Sequence, residues 1–223
     1  MTVQTSPSQK HSIDRAADFV TEVLRLCEDP GNRAALRSGL GRPLDRCHRM
    51  HRVIAPRVPV TSSDGERAYY AVAAMIAALP PQARGHLETD TGDTEDATEA
   101  GDGTADEPEQ ERVAPSARRR DFGQCLAEGV ARGVLRENTA ETKLNLLTRQ
   151  SVDGIHRHLP GVVRVLANEP SAVDWAQLLN DLYWWQRDRD RITRRWLQSF
   201  YRTRFETECK AADAADAREH DAE

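Results

Sequence analysis

Two adjacent tryptophans precede a run of alternating arginine and aspartate in the stretch DLYWWQRDRDRITRRW, residues 181–196. A guanidinium group presents a planar fork of N–H donors that matches phosphate oxygens, so arginines fixed on a helix can hold a polyanion. The aspartates allow two interpretations, as paired carboxylates of a nuclease or as solvated caps at the start of a helix. Asp188 and Asp190 have arginines beside them, which favours the second.

Few other side chains have a spacing that suggests catalysis or metal binding. Cys47 and His48 with His51 lie among arginines, which is more typical of a helix surface than of a metal site, and His156 and His158 lack carboxylates nearby. No G-x-S-x-G or P-loop occurs, and Gly39-Leu40-Gly41 is too short to cradle a phosphate. The four cysteines form no C-x-x-C pair. The sequence therefore predicts a non-enzyme with reduced thiols, no metal and no cofactor.

Acidic and basic residues are segregated along the chain. Residues 88–111 carry 11 carboxylates without lysine or arginine, and residues 206–223 carry a net charge of −5. Since the whole chain has a formal charge of −5, removing both segments leaves +11 on the rest. A basic body with acidic appendages favours polyanionic partners, although the excess of arginine, 28 of 31 basic residues, also fits a GC-rich genome.

The acidic segment also divides the chain. It is rich in Gly, Thr, Asp and Glu and cannot bury enough apolar surface to offset the entropy of ordering it. We expect a disordered N-terminus at 1–11, an N-terminal helical subdomain at 12–85, an acidic disordered linker at 86–116, a C-terminal helical bundle at 117–206 and an acidic tail at 207–223. The tail could extend the last helix before fraying.

Apolar residues recur at helical spacing in both halves, and no stretch alternates with period two for long enough to indicate a strand. The sequence therefore predicts an all-α fold made of two small helical bundles. Side chains that can cap the helices indicate several starts: Ser12, Asn138, Ser151 and Asp174. Pro160 is expected to kink its helix, and a turn capped by Asp188 or Asp190 is expected between Trp185 and Ile192.

Several cations fall on the outer side of these helices. Arg157 and Arg164 are seven residues apart and share one outward stripe, whereas Arg191 and Arg195 follow the second tryptophan on the outer side of the last helix. The triplet Arg118, Arg119 and Arg120 is open to two interpretations, as a phosphate contact or as the solvated start of a helix.

The segment from Phe122 to Tyr201 resembles the CasB family, the small subunit of the type I-E Cascade complex, which is a CRISPR RNA-guided surveillance machine. The resemblance rests on the order of five pieces, of which the fourth is the most specific: FGQCLAEGVAR, ETKLNLL, HLPGVVRVL, VDWAQLLNDLYWW and RRWLQSFY. The N-terminal half matches only in length and helical pattern. Pro160 and the long acidic linker depart from the family pattern.

The resemblance implies a non-catalytic subunit of the complex. In such complexes two copies stack head to tail beside other Cascade subunits, and their basic surface lies along CRISPR RNA and target DNA, including the displaced strand, stabilising the R-loop. By family position Lys143, Arg149 and Arg164 match basic residues, whereas Arg157 comes from the stripe alone. Contacts to the phosphate backbone need cations on a rigid frame and read no bases.

One alternative from another class is a helical scaffold or regulator that binds only protein through its aromatic face. An exposed Trp184 favours that function, whereas a continuous cationic surface favours nucleic acid. The first residues lack the pattern of a secretory signal, and no apolar run approaches the ~18 residues that span a bilayer. We therefore expect a cytoplasmic protein without a membrane partner.

Overall fold

The computed structural model describes residues 7–60, 62–81, 83–84, 119–167 and 173–220, and within these ranges all regular structure is helical. The all-α prediction is confirmed. Short 3-10 turns occupy Leu44–Arg46 and Ala55–Arg57. The helices, numbered here in chain order, are α1 (Pro7–Leu26), α2 (Pro30–Arg37), α3 (His48–Ile54), α4 (Ser63–Ala78), α5 (Phe122–Ala131), α6 (Glu137–Thr148), α7 (Val152–Leu166), α8 (Trp175–Tyr183) and α9 (Trp185–His220).

Side-chain caps begin several of these helices. The Ser151 hydroxyl accepts a hydrogen bond from the Gly154 N–H, and the Asp174 carboxylate accepts one from the Gln177 N–H at 3.0 Å. Both caps were predicted, because a short polar side chain precedes an apolar helical stripe in each case. Three further helices begin in the same way, at Asp29, Ser62 and Asp121.

Two predicted helix starts are wrong. The first helix begins at Pro7, within the segment expected to be disordered, and the Ser12 hydroxyl instead donates to Asn180 Oδ1 of α8 at 2.9 Å. Helix α6 begins at Glu137, because the Arg136 carbonyl already accepts from the N–H groups of Thr139 and Ala140. The cap expected at Asn138 is therefore inside the helix.

The break expected between Trp185 and Ile192 is present as a kink at Asp188, and its capping by Asp188 or Asp190 stays a prediction. Helix α9 starts at Trp185, and Asp188 leaves helical geometry, with φ −116° and ψ 22°, so α9 consists of two helices that meet at this kink. Helix α7 continues through Pro160 to Leu166. The acidic tail forms the end of α9 as far as His220.

Helix α8 is buried from Trp175 to Leu182. It contacts α1 and α4 from the N-terminal side of the acidic segment and α9 from the C-terminal side. The two sets of helices therefore share one hydrophobic core through α8. The predicted domain boundaries stay predictions, and the linker at 86–116 lies outside the described residues.

Helices α5 and α9 cross at very short range. A Cβ atom added to Gly123 would lie 1.8 Å from the carbonyl oxygen of Trp196, so only glycine fits at the crossing. The Phe122 and Trp196 rings pack at 5.2 Å beside it. This contact fixes the part of α9 that carries the arginine run.

Candidate nucleic-acid interface

The fully buried carboxylate of Asp181 in α8 holds α9 in place through hydrogen bonds. Its oxygens accept hydrogen bonds from Trp196 Nε1 and from Gln177 Nε2, both at 2.7 Å, and from the Arg195 guanidinium. Burial raises the pKa of Asp181, while Arg195 and the two N–H donors oppose that shift. The arrangement satisfies a polar group that would otherwise be costly to bury.

Arg195 is placed differently from the prediction. Its guanidinium lies between Asp181 and Asp121, with Nε 3.6 Å from Asp121 Oδ2, and its side chain is 39% exposed. Arg195 was expected on the outer side of the last helix, but it is half-buried between acids that come from distant parts of the chain. Arg195 mainly joins α9 to α8 and to the start of α5, and its contact with nucleic acid stays a prediction.

The arginines that follow the tryptophans form exposed ion pairs with neighbouring aspartates. Arg187 and Arg191 both reach the Asp188 carboxylate, at 3.1 and 3.5 Å, and Arg189 Nε lies 3.6 Å from Asp190. The two aspartates therefore form ion pairs with neighbouring arginines, which favours a structural role over a nuclease site. Arg191 remains exposed on α9, and its predicted contact with phosphate is untested.

Trp184 is half-buried. The Arg187 guanidinium covers one side of its ring at 4.0 Å, and the Tyr183 ring packs edge-on at 4.8 Å. Tyr183 in turn contacts Tyr69 of α4 at 6.2 Å. The aromatic pair is thus part of the contact between α4 and α8, and Trp184 does not offer the open face that protein docking through it requires.

Arg157 and Arg164 project from the exposed face of α7, as the stripe predicts. Gly161 lies between them at the surface, and a Cβ atom added there would meet nothing within 4 Å. No carboxylate of the described residues lies within 4 Å of either guanidinium. The opposite face of α7 is buried, so both cations stand on a fixed frame.

Lys143 and Arg149 belong to the neighbouring helix α6 or its end. Lys143 is half-buried, Arg149 is exposed at the C-cap, and neither forms an ion pair with a described carboxylate. Helix α6 contacts α7, so these two cations lie on an element adjacent to Arg157 and Arg164.

The arginine triplet before α5 is tied to the protein where it is described. Arg119 Nη1 lies 3.4 Å from Asp174 Oδ1, and Arg120 Nη1 pairs with Glu128 Oε2 at 2.8 Å. The Arg120 N–H also donates to Asp174 Oδ2. These contacts favour a structural start of α5, and Arg118 lies outside the described residues.

The histidines and cysteines do not converge. His51 Nδ1 lies 2.8 Å from the Tyr70 hydroxyl, and the buried Cys47 thiol donates to the Pro43 carbonyl. His156 is buried and His158 is exposed. No group of three metal-binding side chains occurs in the part of the chain that the structure describes. All four cysteines are free thiols, and burial raises the pKa of Cys125 to about 12.

A second cationic surface was missed by reasoning from the sequence. We call it the α2–α3 surface, defined by five exposed arginines: Arg37, Arg42, Arg46, Arg49 and Arg52. The composition held the signal, since residues 33–57 contain seven arginines and one acid.

Comparison with protein families identifies the chain's class. A family model described as CRISPR-associated protein Cse2 matches residues 32–201, about three quarters of the chain. The chain is thus a CRISPR-associated protein. It belongs to the Cse2 family, which is the CasB family under another name, and the resemblance is confirmed.

Solved structures agree with this assignment. The chain is 33% identical to a chain of a CRISPR RNA-guided surveillance complex, with 90% of this chain and 99% of that chain covered and a TM-score of 0.71. It is 34% identical to a chain of such a complex in a pre-nicking state, with coverages of 89% and 98% and a TM-score of 0.71.

A more distant structure shares the fold alone. It is a CRISPR-associated protein of the Cse2 family from Thermus thermophilus, 21% identical, with 88% and 99% of the two chains covered and a TM-score of 0.54. No curated protein matches the chain. Among the described helices, none is long and apolar enough to cross a membrane.

Proposed function

We propose that this chain is the non-catalytic small subunit of a type I-E RNA-guided surveillance complex in antiviral defence, where it binds nucleic-acid backbone and stabilises the R-loop. One observation carries the proposal. In a chain of the Cse2 family, Arg157 and Arg164 stand exposed on α7 without an acidic partner among the described residues.

The electrostatics of the other predicted cations support this choice. Arg119, Arg120 and Arg195 already contact carboxylates, and a paired guanidinium gives up part of its attraction for a phosphate. Arg157 and Arg164 have no carboxylate of the described residues within 4 Å, and Lys143 and Arg149 lie on an adjacent element. Phosphate neutralisation by such cations releases counterions and is independent of sequence.

A few backbone contacts are sufficient for the proposed task. R-loop formation exchanges one duplex for another of similar stability, so small interaction energies decide its extent. The partners are CRISPR RNA, target DNA with its displaced strand, other subunits of the complex and a second copy of this chain. This assembly acts in the cytoplasm and needs no metal or cofactor from this subunit.

Cross-linking inside the assembled complex tests the proposal. The chain is incorporated into the complex, and R-loops are formed on DNA that carries photoreactive backbone groups. We expect cross-links to this chain that weaken several-fold in R157E/R164E and persist in R136E/R202E, a matched pair of exposed arginines with the same charge change. Circular dichroism and melting temperature should stay close to wild type.

The alternative of a helical scaffold that binds only protein gives a different result. In that case the chain enters the complex, but no nucleic acid is cross-linked to it above the level seen with a non-binding protein. Divalent-dependent cleavage of DNA by the purified chain would overturn the non-catalytic role, and loss of that cleavage in a Cys47, His48 and His51 triple alanine variant would indicate a metal site.

A further inference from the structure

The α2–α3 surface carries an unusual density of positive charge. Its five arginines fall within sixteen residues of chain, with Asp45 as the one acid among them. All five side chains are exposed, and so is His48. A surface with this density of positive charge attracts polyanions and raises their local concentration.

The acids of the protein do not neutralise this surface. No carboxylate of the described residues lies within 4 Å of any of its five guanidinium groups. Arg57, a few residues further on, behaves differently because its Nε lies 2.5 Å from Glu22 Oε1. Glu22 therefore pairs with Arg57, next to the α2–α3 surface, and not with any of the five arginines that define it.

The frame beneath the surface is tightly packed. A Cβ atom added to Gly39 would lie 2.0 Å from Met50 Sδ, so the loop after α2 sits directly on α3. Met50 and Ile54 are fully buried, and His51 Nδ1 contacts the Tyr70 hydroxyl of α4. The arginines therefore project from fixed backbone positions although the elements are short.

Helix α4 lies between the α2–α3 surface and the stripe on α7, because it contacts both α2 and α7. Arg67 on α4 pairs with Asp153 at the start of α7. The hydrogen bond and charge of Arg67, and to a lesser extent the charge of Arg157, lower the pKa of Asp153. The Arg67 side chain is paired and only 18% exposed, so α4 supplies a fixed frame between the two cationic surfaces and not a further free cation.

We propose that Arg42, Arg46 and Arg49 form a second phosphate-binding segment, which extends the nucleic-acid path of α7 across α4 onto the α2–α3 surface. The ligand is the phosphodiester backbone of a single strand, held without base reading. Only one large apolar residue of this stretch, Leu40, is exposed, so the surface offers little for docking a protein. The inference rests on the proposed function.

Salt-dependent binding of the full chain tests the segment. The probe is a fluorescent 30-nucleotide single-stranded DNA, and the variant is R42Q/R46Q/R49Q, which keeps length and polarity. Because each phosphate contact to a single strand contributes about 0.7 to the slope of log K against log salt, we expect the slope to fall by about 2. Affinity at low salt should fall at least about tenfold.

A control with equal charge separates local contacts from net charge. R132Q/R136Q/R202Q also removes three exposed arginines without described acidic partners. Its slope should fall by less than half as much. Equal slopes for the two triple variants, both close to wild type or both reduced, would overturn the second segment.

The proposed function fails in a different way. If R157Q/R164Q weakens binding while R42Q/R46Q/R49Q leaves the slope of log K against log salt unchanged, the α7 stripe binds nucleic acid and the second segment does not. If the wild-type chain shows no salt-dependent binding to the probe at all, both fall. Melting temperatures confirm that each variant is folded.

Discussion

Asp181 is the residue on which the packing of α8 against α9 most depends. Replacing it with alanine would leave the Arg195 guanidinium and Trp196 Nε1 without their buried partner. We expect Asp181→Ala to lower the free energy of unfolding by about 3–5 kcal/mol, measured by chemical denaturation. Asp190→Ala is the control, because that side chain is 89% exposed and its removal should cost less than about 0.5 kcal/mol. Equal losses would contradict the assigned role.

His156 gives the fold a dependence on pH. It is buried, neither ring nitrogen has a hydrogen-bond partner among the described residues, and burial with the charge of Arg67 lowers its pKa to about 3, against the opposing effect of Asp153. The unfolded chain therefore takes up a proton near pH 6.5 that the folded chain refuses. Stability is complete above that pH and is lost progressively as the pH falls from 6.5 towards 3.

The size of this effect is measurable. At pH 5 the wild type should have lost about 2 kcal/mol relative to pH 8 through His156. His156→Leu removes a titratable group at similar size, so its stability should change less between these pH values, whereas the exposed variant His158→Gln should follow wild type. The same pH profile in H156L and wild type would assign the acid sensitivity to other groups.

The crossing of α5 and α9 depends on a single glycine. Gly123→Ala would force its Cβ into the Trp196 carbonyl, and neither helix backbone can move away without opening the core. We expect a loss of more than about 3 kcal/mol in unfolding free energy. Gly161→Ala tests the same change in open space on α7 and should stabilise by up to about 1 kcal/mol. A tolerated G123A would mean that the crossing is looser than described.

Helices were predictable where one local pattern dominated. Ser151 and Asp174 stand directly before apolar stripes, so their caps were predicted correctly. Ser12 and Asn138 have the same chemistry, but each lies inside a helix whose start is set elsewhere. A capping side chain specifies a helix start only when the residues before it disfavour helix, and Pro7 favours one.

Some positions of the cations could likewise be predicted from the sequence, and others could not. The outward stripe of Arg157 and Arg164 followed from the 3.6-residue period alone. The pairing of Arg119 and Arg195 did not, because Asp174 and Asp181 reach them through tertiary packing that no local pattern encodes. Which arginines remain unpaired is therefore a property of the folded chain.

Charge acts on the whole molecule through the acidic segment at 88–111, which lies outside the described residues. Its net charge of −11 allows the segment to compete with phosphates for the cationic surfaces, and the alternative is that it serves as a passive spacer. If it competes, replacing its eleven acids with Asn and Gln should raise the affinity for single-stranded DNA, most at 0.01 M salt, where the Debye length is about 30 Å. Affinities equal to wild type at low salt would support the spacer.

The central claim is that unpaired cations on α7 stabilise R-loops within a surveillance complex. The most direct measurement is the R-loop yield on a target duplex, by complexes that contain wild-type chain, R157E/R164E, R136E/R202E or no chain. We expect R157E/R164E to fall towards the yield without the chain, while R136E/R202E matches wild type. A wild-type yield from R157E/R164E, with the variant present in the complex, would contradict the claim.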